Sequence, residues 1–255
     1  MIITAISDMH TGHRTGLLPH WLFDDPDRPG GVRETQRQML DQYRAWITEL
    51  PRPDIVVVCG DAVDGRGERS GSTELATVDV SEQCRAAAEL IGYWRPKKGI
   101  VMAYGTPYHT GTQGDSEDAV AQLLGATIQS HPQIDVDGYV IDVKHAVGGS
   151  SIPHGRATAV LREDMWNALW AEEGALARAD LILRGHVHYH QYAGRPGRLC
   201  MTLPALAWGS KFGQRQCSGV IHFGVMQFKI EKGELKSWQA KTTVLKSFVQ
   251  APLTF

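Results

Sequence analysis

Three short segments, far apart in the 255-residue chain, end in side chains that bind cations: Asp8-Met9-His10, Gly60-Asp61-Ala62-Val63-Asp64 and Gly185-His186-Val187-His188. Carboxylate oxygens and imidazole nitrogens are donors for divalent metal ions, and these are too many for one ion. The chemistry they point to is two-metal hydrolysis. A phosphate ester resists nucleophiles because its oxygens are charged. Two ions about 3.5–4 Å apart neutralise that charge and lower the pKa of a shared water, so that a bridging hydroxide attacks in line. A carboxylate such as Asp61 has two oxygens and can bridge both ions. Taken singly, Asp8 or Asp61 reads as a turn or cap residue, and His186 with His188 as a hydrogen-bonded surface pair. The conjunction is what carries the reading.

Each segment follows an apolar, largely β-branched run: Ile2–Ile6, Ile55–Val58 and Leu181–Leu183. Such runs read as buried strands, and strands that finish on donors can converge at one edge of a sheet. Side chains at i and i+2 of a strand share a face. On that ground Asp8 and His10 can serve one ion, as can His186 and His188.

Between the strands the pattern alternates with helices. Residues 32–50 place Met39, Tyr43, Trp46, Ile47 and Leu50 on one helical face, with Pro51 as a stop. Further helices are expected over 81–94, from Asp115 through Leu124, and over 156–178. Strands are expected at 54–60, at 99–104, at 133–147 around the Asp137-Gly138 turn, and at 180–184. An antiparallel tail from about 198 to 247 turns at Lys232-Gly233. Two loops, 11–31 and 62–77, follow donor-bearing strands and are long enough to suggest function. The whole reads as one domain, 1–255, of α/β (α+β) class, with two sheets packed together and helices outside.

The bulk numbers narrow the class. A chain of this length buries roughly 70–75% of its unfolded surface and needs no staples. A formal net charge of −2 leaves no broad basic field for duplex nucleic acid. Cys59, Cys84, Cys200 and Cys217 form no CxxC pair, and Cys59 lies inside an apolar strand, which suits a reducing compartment. No signal peptide or membrane-spanning run is visible. A cytoplasmic protein is expected.

Asp8-x-His10, Gly60-Asp61-x-x-Asp64 and Gly185-His186-x-His188, in that order, resemble the calcineurin-like metallophosphoesterase superfamily over residues 2 to about 190. The resemblance implies a four-layer αββα sandwich and a centre of two divalent ions, manganese first, with iron, zinc or nickel as alternatives. By that match Asp8, His10 and His188 hold the first ion, Asp61 bridges both, and His186 belongs to the second. A lone histidine ligand of the family falls on His145, with His154 second and His131 third, since Pro132 places His131 in a turn. Asp64 would orient a ligand rather than bind metal.

The third motif departs from the family. Where Gly-Asn-His and an acid are usual, this chain has Gly105-Thr106-Pro107-Tyr108-His109. Thr106 stands in the place of the Asn ligand, and His109 is the histidine expected to face the phosphate and protonate the leaving oxygen. A similar Gly-Thr-x-x-His variant marks phage and prophage relatives, which this chain resembles most. His13 and Arg14, and with less weight Arg66 and Arg69, follow donors on loops and are candidates for the phosphate. Trp21 and Trp208 are stacking candidates for a base, with packing the better reading of each. The implied substrate is a phosphodiester, a nucleotide or single-stranded nucleic acid among the options. A monoesterase or protein phosphatase is the alternative, and a catalytically silent protein-binding scaffold the other.

Overall fold

The computed structural model describes residues 1–24, 33–67, 71–110, 115–150, 152–209 and 221–243. In chain order the elements are β1 (Ile2–Ile6), α1 (His20–Phe23), α2 (Arg33–Glu49), β2 (Ile55–Cys59), α3 (Val80–Gly92), β3 (Gly99–Ala103), α4 (Pro107–Thr110), α5 (Ser116–Leu124), β4 (Thr127–Gln129), β5 (Gln133–Val136), β6 (Tyr139–Lys144), α6 (Gly155–Glu172), β7 (Leu181–Arg184), β8 (Gln191–Arg195), β9 (Arg198–Thr202), β10 (Phe223–Glu231) and β11 (Glu234–Thr243). They build two mixed sheets, ordered β11-β10-β1-β2-β3-β4 and β5-β6-β7-β9-β8. In the first, β1 through β4 run parallel and β10 joins β1 antiparallel. In the second, β6, β7 and β9 run parallel between antiparallel edges.

Three apolar cores define four layers. Ile6, Val56 and Val58 face Met39, Tyr43, Leu90 and Ile91 of α2 and α3. Ile3, Ala5, Val57 and Cys59 face the second sheet, against Ile141, Val143, Leu181 and Leu183. Ile182 and Cys200 pack outward on Val160 of α6. Strands buried on both faces must be apolar throughout, which is why Ile55–Val58 reads as a continuous hydrophobic run rather than an alternating one. The αββα layering follows directly.

Several details differ from the sequence expectations. The tail is not wholly antiparallel: β9 pairs parallel with β7 as well as antiparallel with β8, while the β10–β11 hairpin, turning at Lys232 and Gly233, has the expected form. Helix α6 stops at Glu172, six residues early. Gly174 adopts φ 71° just beyond it, and Arg178 folds back to bond Asp164 and Asn167. The short elements α1, α4, β4 and β8 carried no clear period. Parts of both long loops, 25–31 and 68–70, together with Arg69 and Cys217, lie outside the described residues, as does the end of the tail. Cys59, Cys84 and Cys200 are buried free thiols.

Candidate metal centre

β1, β2, β6 and β7 end beside one another, and the donors lie just past those ends. They are not on the strands themselves. Asp8, His10, Asp61, His186 and His188 all take left-handed backbone, with φ of 51°, 44°, 51°, 72° and 55°. The same-face argument for i and i+2 of a strand therefore does not apply. The turns aim the side chains instead, and each such residue stores strain of roughly 1–3 kcal/mol that its surroundings must hold. The surroundings do so by pairing loop to loop. Asp8 N–H donates to Gly60 O at 3.1 Å, His10 N–H to Asp61 O at 2.9 Å and Gly185 N–H to His145 O at 2.9 Å. The backbone N–H of His186 reaches both carboxylate oxygens of Asp8 at 3.0 Å. Gly185 cannot be replaced cheaply here, because a Cβ would stand 2.3 Å from Ser7 Oγ.

Three donor groups result, each with its ligand atoms within 4.8 Å of one another: Asp8, His10 and His188; His10, Asp61 and His109; Asp61, His145 and His186. Asp61 faces two ways, with Oδ2 at 3.8 Å from His10 Nε2 and 3.0 Å from His145 Nε2. Thr106 Oγ1 sits inside the third group, 3.2 Å from Asp61 Oδ2, 3.2 Å from His145 Nε2 and 3.3 Å from His186 Nδ1. His145 Nδ1 donates to Cys59 O at 2.7 Å, and His10 Nδ1 lies 3.1 Å from Asp64 Oδ1. Both rings thereby turn Nε2 into the site, the usual arrangement for an imidazole ligand oriented from behind. His10 Nε2 and His188 Nε2 face each other at 3.1 Å, with Asp8 Oδ1 3.2 Å from the latter. Two basic nitrogens that close need a proton or a cation between them.

The electrostatics say the same. Burial alone would neutralise Asp8, Asp61 and Asp64, but surrounding histidines outweigh it. The imidazoles of His188, His145 and His10 hold Asp8 well below the usual carboxylate range. His145 and His10 hold Asp61 at about 2, and the His10 and His109 hydrogen bonds depress Asp64. Reciprocally, burial lowers His145 and His109, yet Asp61 with Asp8 raises the first to about 10 and Asp64 with Asp61 raises the second to about 9. Protons on these rings balance buried carboxylates that meet no lysine or arginine in their described ion pairs. Divalent cations would displace those protons. The donor set fits such ions by chemistry and by arrangement.

The remaining candidates fall in different places. His109, carried on α4, packs edge-on against His10 with centroids 4.6 Å apart, its Nδ1 2.9 Å from Asp64 O. The helical turn begun by Pro107 brings it back despite its later sequence position. His13 is buried near the cluster, but its Nδ1 accepts from Thr15 N–H and lies 2.9 Å from Thr15 Oγ1. Arg14 is half-buried and Arg66 exposed. His154 is an exposed residue at the start of α6, away from any donor group. His131 instead binds Asp142, with Nε2 2.9 Å from both oxygens. Trp21 donates to Glu89 at the surface, and Trp208 packs on the first core.

One residue went unnoticed. Glu117, which reads only as an acidic first-turn residue of a helix, is fully buried and bonds the loops beside Asp61 and Thr106. Burial first, then Asp61, pushes its carboxyl up to about 8, against the Ala62 and Gly105 N–H bonds, which both favour the charged form. It lies eleven residues beyond Thr106 in the sequence, too far for the Gly105-Thr106 motif to point to it.

No family model and no curated protein matches the chain. Solved structures do, at low identity. An archaeal phosphodiesterase is 14% identical, covering 95% of this chain and 100% of its own, with a TM-score of 0.48. Vps29 from Entamoeba histolytica, complexed with zinc, is 14% identical over 95% and 98%, also at 0.48. A predicted phosphoesterase from Streptococcus pneumoniae is 11% identical over 95% and 97%, at 0.42. At scores below 0.5 the weight stays on the side chains of the site itself.

Proposed function

We propose that this protein is a phosphoesterase of the calcineurin-like type, dependent on two divalent metal ions and directed at phosphodiesters. The observation that carries the reading is the run of three donor groups linked through His10 and Asp61, set among buried carboxylates whose described ion-pair partners are all histidines. Asp8, His10 and His188 would hold one ion; His145, His186 and Thr106 the other; Asp61 would serve both. Bound there, the ions supply Lewis acidity toward the phosphoryl oxygens and a nucleophile at neutral pH. The family's typical metals, manganese first, are the ones to load.

The chain's own residues do the rest. Asp64 holds His10 and His109 from behind through Nδ1 of each. Because that edge of His109 is taken, its Nε2 is the atom left to carry a proton to a departing oxygen. The left-handed turns keep donors fixed before substrate arrives, so little reorganisation remains at the moment of reaction. Arg14, half-buried, and Arg66, exposed, are the candidate contacts for the rest of an anionic ester. The described residues contain no helix long and apolar enough to cross a membrane.

The test is metal-free protein reloaded with manganese and assayed on bis(p-nitrophenyl) phosphate beside the monoester. Two ions bound per chain and faster turnover of the diester are expected. Metal-free protein that stays silent on both esters after loading would leave the scaffold reading. His109→Ala should cut turnover roughly a hundredfold, within the usual range for a general acid, and leave metal content intact. Loss of metal instead would make His109 a ligand.

A further inference from the structure

The mechanism above makes no use of Glu117, yet this carboxylate is fully buried within the site's framework. Asp115 caps α5 by accepting from Glu117 N–H at 3.0 Å, which fixes where the Glu117 side chain starts. From there its two oxygens divide between two loops. Oε1 accepts from Ala62 N–H at 2.8 Å, and Oε2 accepts from Gly105 N–H at 2.6 Å. Ala62 follows Asp61, and Gly105 precedes Thr106. These loops leave β2 and β3 where the ladder between them has ended, at Cys59 and Ala103. Across the same gap Thr106 N–H donates to Asp61 Oδ1 at 2.6 Å, and a Cβ at residue 105 would come within 2.2 Å of that oxygen. The approach of the loops is that tight, and a carboxylate in the bidentate role is what bonds both backbones at once.

We infer that Glu117 is a positioning residue that clasps the Asp61 and Thr106 loops together, setting the spacing of the Asp61, His145, His186 and Thr106 donors. It touches no donor atom of the group in any described hydrogen bond; it acts through two peptide N–H groups. Neutral glutamine can accept only one of those bonds and turns its NH₂ against the other N–H. The inference rests on the metal-centre reading, and the experiment separates the two.

Metal-free wild type, Glu117→Gln, Glu117→Asp and the surface control Gln122→Ala of α5 are titrated with Mn²⁺ alone by calorimetry, and with Co²⁺ by visible absorption. Glu117→Gln should weaken the more loosely held ion by roughly ten- to a hundredfold, the range for outer-shell partners, and shift the cobalt bands. At saturating manganese its kcat should return to within about threefold of wild type with KM unchanged, since every donor remains. Glu117→Asp, which keeps the carboxyl group but shortens the reach, should fall between, and it supplies the same reading if the glutamine variant does not fold. Glu117→Gln with wild-type affinity and cobalt spectrum, or with no more loss than Gln122→Ala, overturns the inference while leaving the metal centre standing. Wild type that binds no Mn²⁺ overturns both.

Discussion

Strands β6 and β7 each serve two buried polar clusters, and the clusters are built on opposite principles. On the face toward α6, Asp142 Oδ1 meets Arg184 Nη1 at 2.7 Å, Arg184 Nε meets Glu163 Oε2 at 2.8 Å, and Lys144 Nζ meets the same oxygen at 3.3 Å. His131 closes the far side of Asp142. That cluster carries its own permanent cations and every carboxylate is matched. Past the strand ends, Asp8, Asp61 and Asp64 are as deeply buried, yet the partners in their described ion pairs are all imidazoles. Imidazole gives up its proton to a metal, and guanidinium does not. The carboxylates of the first cluster are matched as folded; those of the second are matched only with protons or with metal ions. Burial does not distinguish a structural network from a site. The chemistry of the countercharges does.

The contrast predicts opposite failures. Asp61→Asn removes the one oxygen pair shared between donor groups, and should cost the bridged pair of ions several kcal/mol of transition-state stabilisation, roughly a thousandfold in turnover or more. Stability in the absence of metal should change little, since the lost charge was stabilised by His145 and His10 but those rings can shed their protons when it goes. Full activity with both ions bound would remove Asp61 from the bridging role. Arg184→Met should do the reverse. It strands Asp142 and Glu163 in the interior, a loss of about 3–5 kcal/mol in urea unfolding, while protein still folded at low temperature should bind manganese like wild type. Weakened metal binding in that variant, without lost stability, would merge the two clusters into one.

The sequence carried the strands and the donors but not the way the donors are aimed. Ile2–Ile6, Ile55–Val58 and Leu181–Leu183 are legible because strands buried on both faces must be apolar, and no other element explains such short runs. Donor types following them are legible for the same reason: a polar residue directly after a buried strand has to have a purpose. The left-handed φ values at Asp8, His10, Asp61, His186 and His188 are not legible. Aspartate and histidine tolerate that region somewhat better than β-branched residues, but what holds them there is bonding between loops 40 to 178 residues apart. Glu117 was hidden differently. Its first-turn position at a helix start accounted for an acid, so nothing in the local pattern asked for a second role. His131 shows the converse, since its partner Asp142 sits on a strand eleven residues on and only the fold brings them together.

The smallest effect concerns acid, and it tests whether the outer cluster is as closed as its geometry implies. Burial by itself would raise the Asp142 carboxyl, but the His131 hydrogen bond and the Arg184 charge win and hold it at about 2, against an ordinary 3.8. A carboxyl depressed in the folded state contributes stability above its unfolded pKa and loses it as the pH falls through the folded one. The contribution, about 2 kcal/mol, should therefore be whole above pH 4 and fade between about 3.8 and 2. The way to isolate it is the difference in urea unfolding between wild type and Asp142→Asn, taken at several pH values with metal absent. Because Asp8, Asp61 and Asp64 titrate in both proteins, their effect cancels in that difference, and only the outer cluster remains. The gap should narrow steadily below pH 4. A gap that stays constant down to pH 2 would mean that Arg184 and His131 do not stabilise the charge on Asp142. The outer network would then owe its place to packing rather than to matched charge.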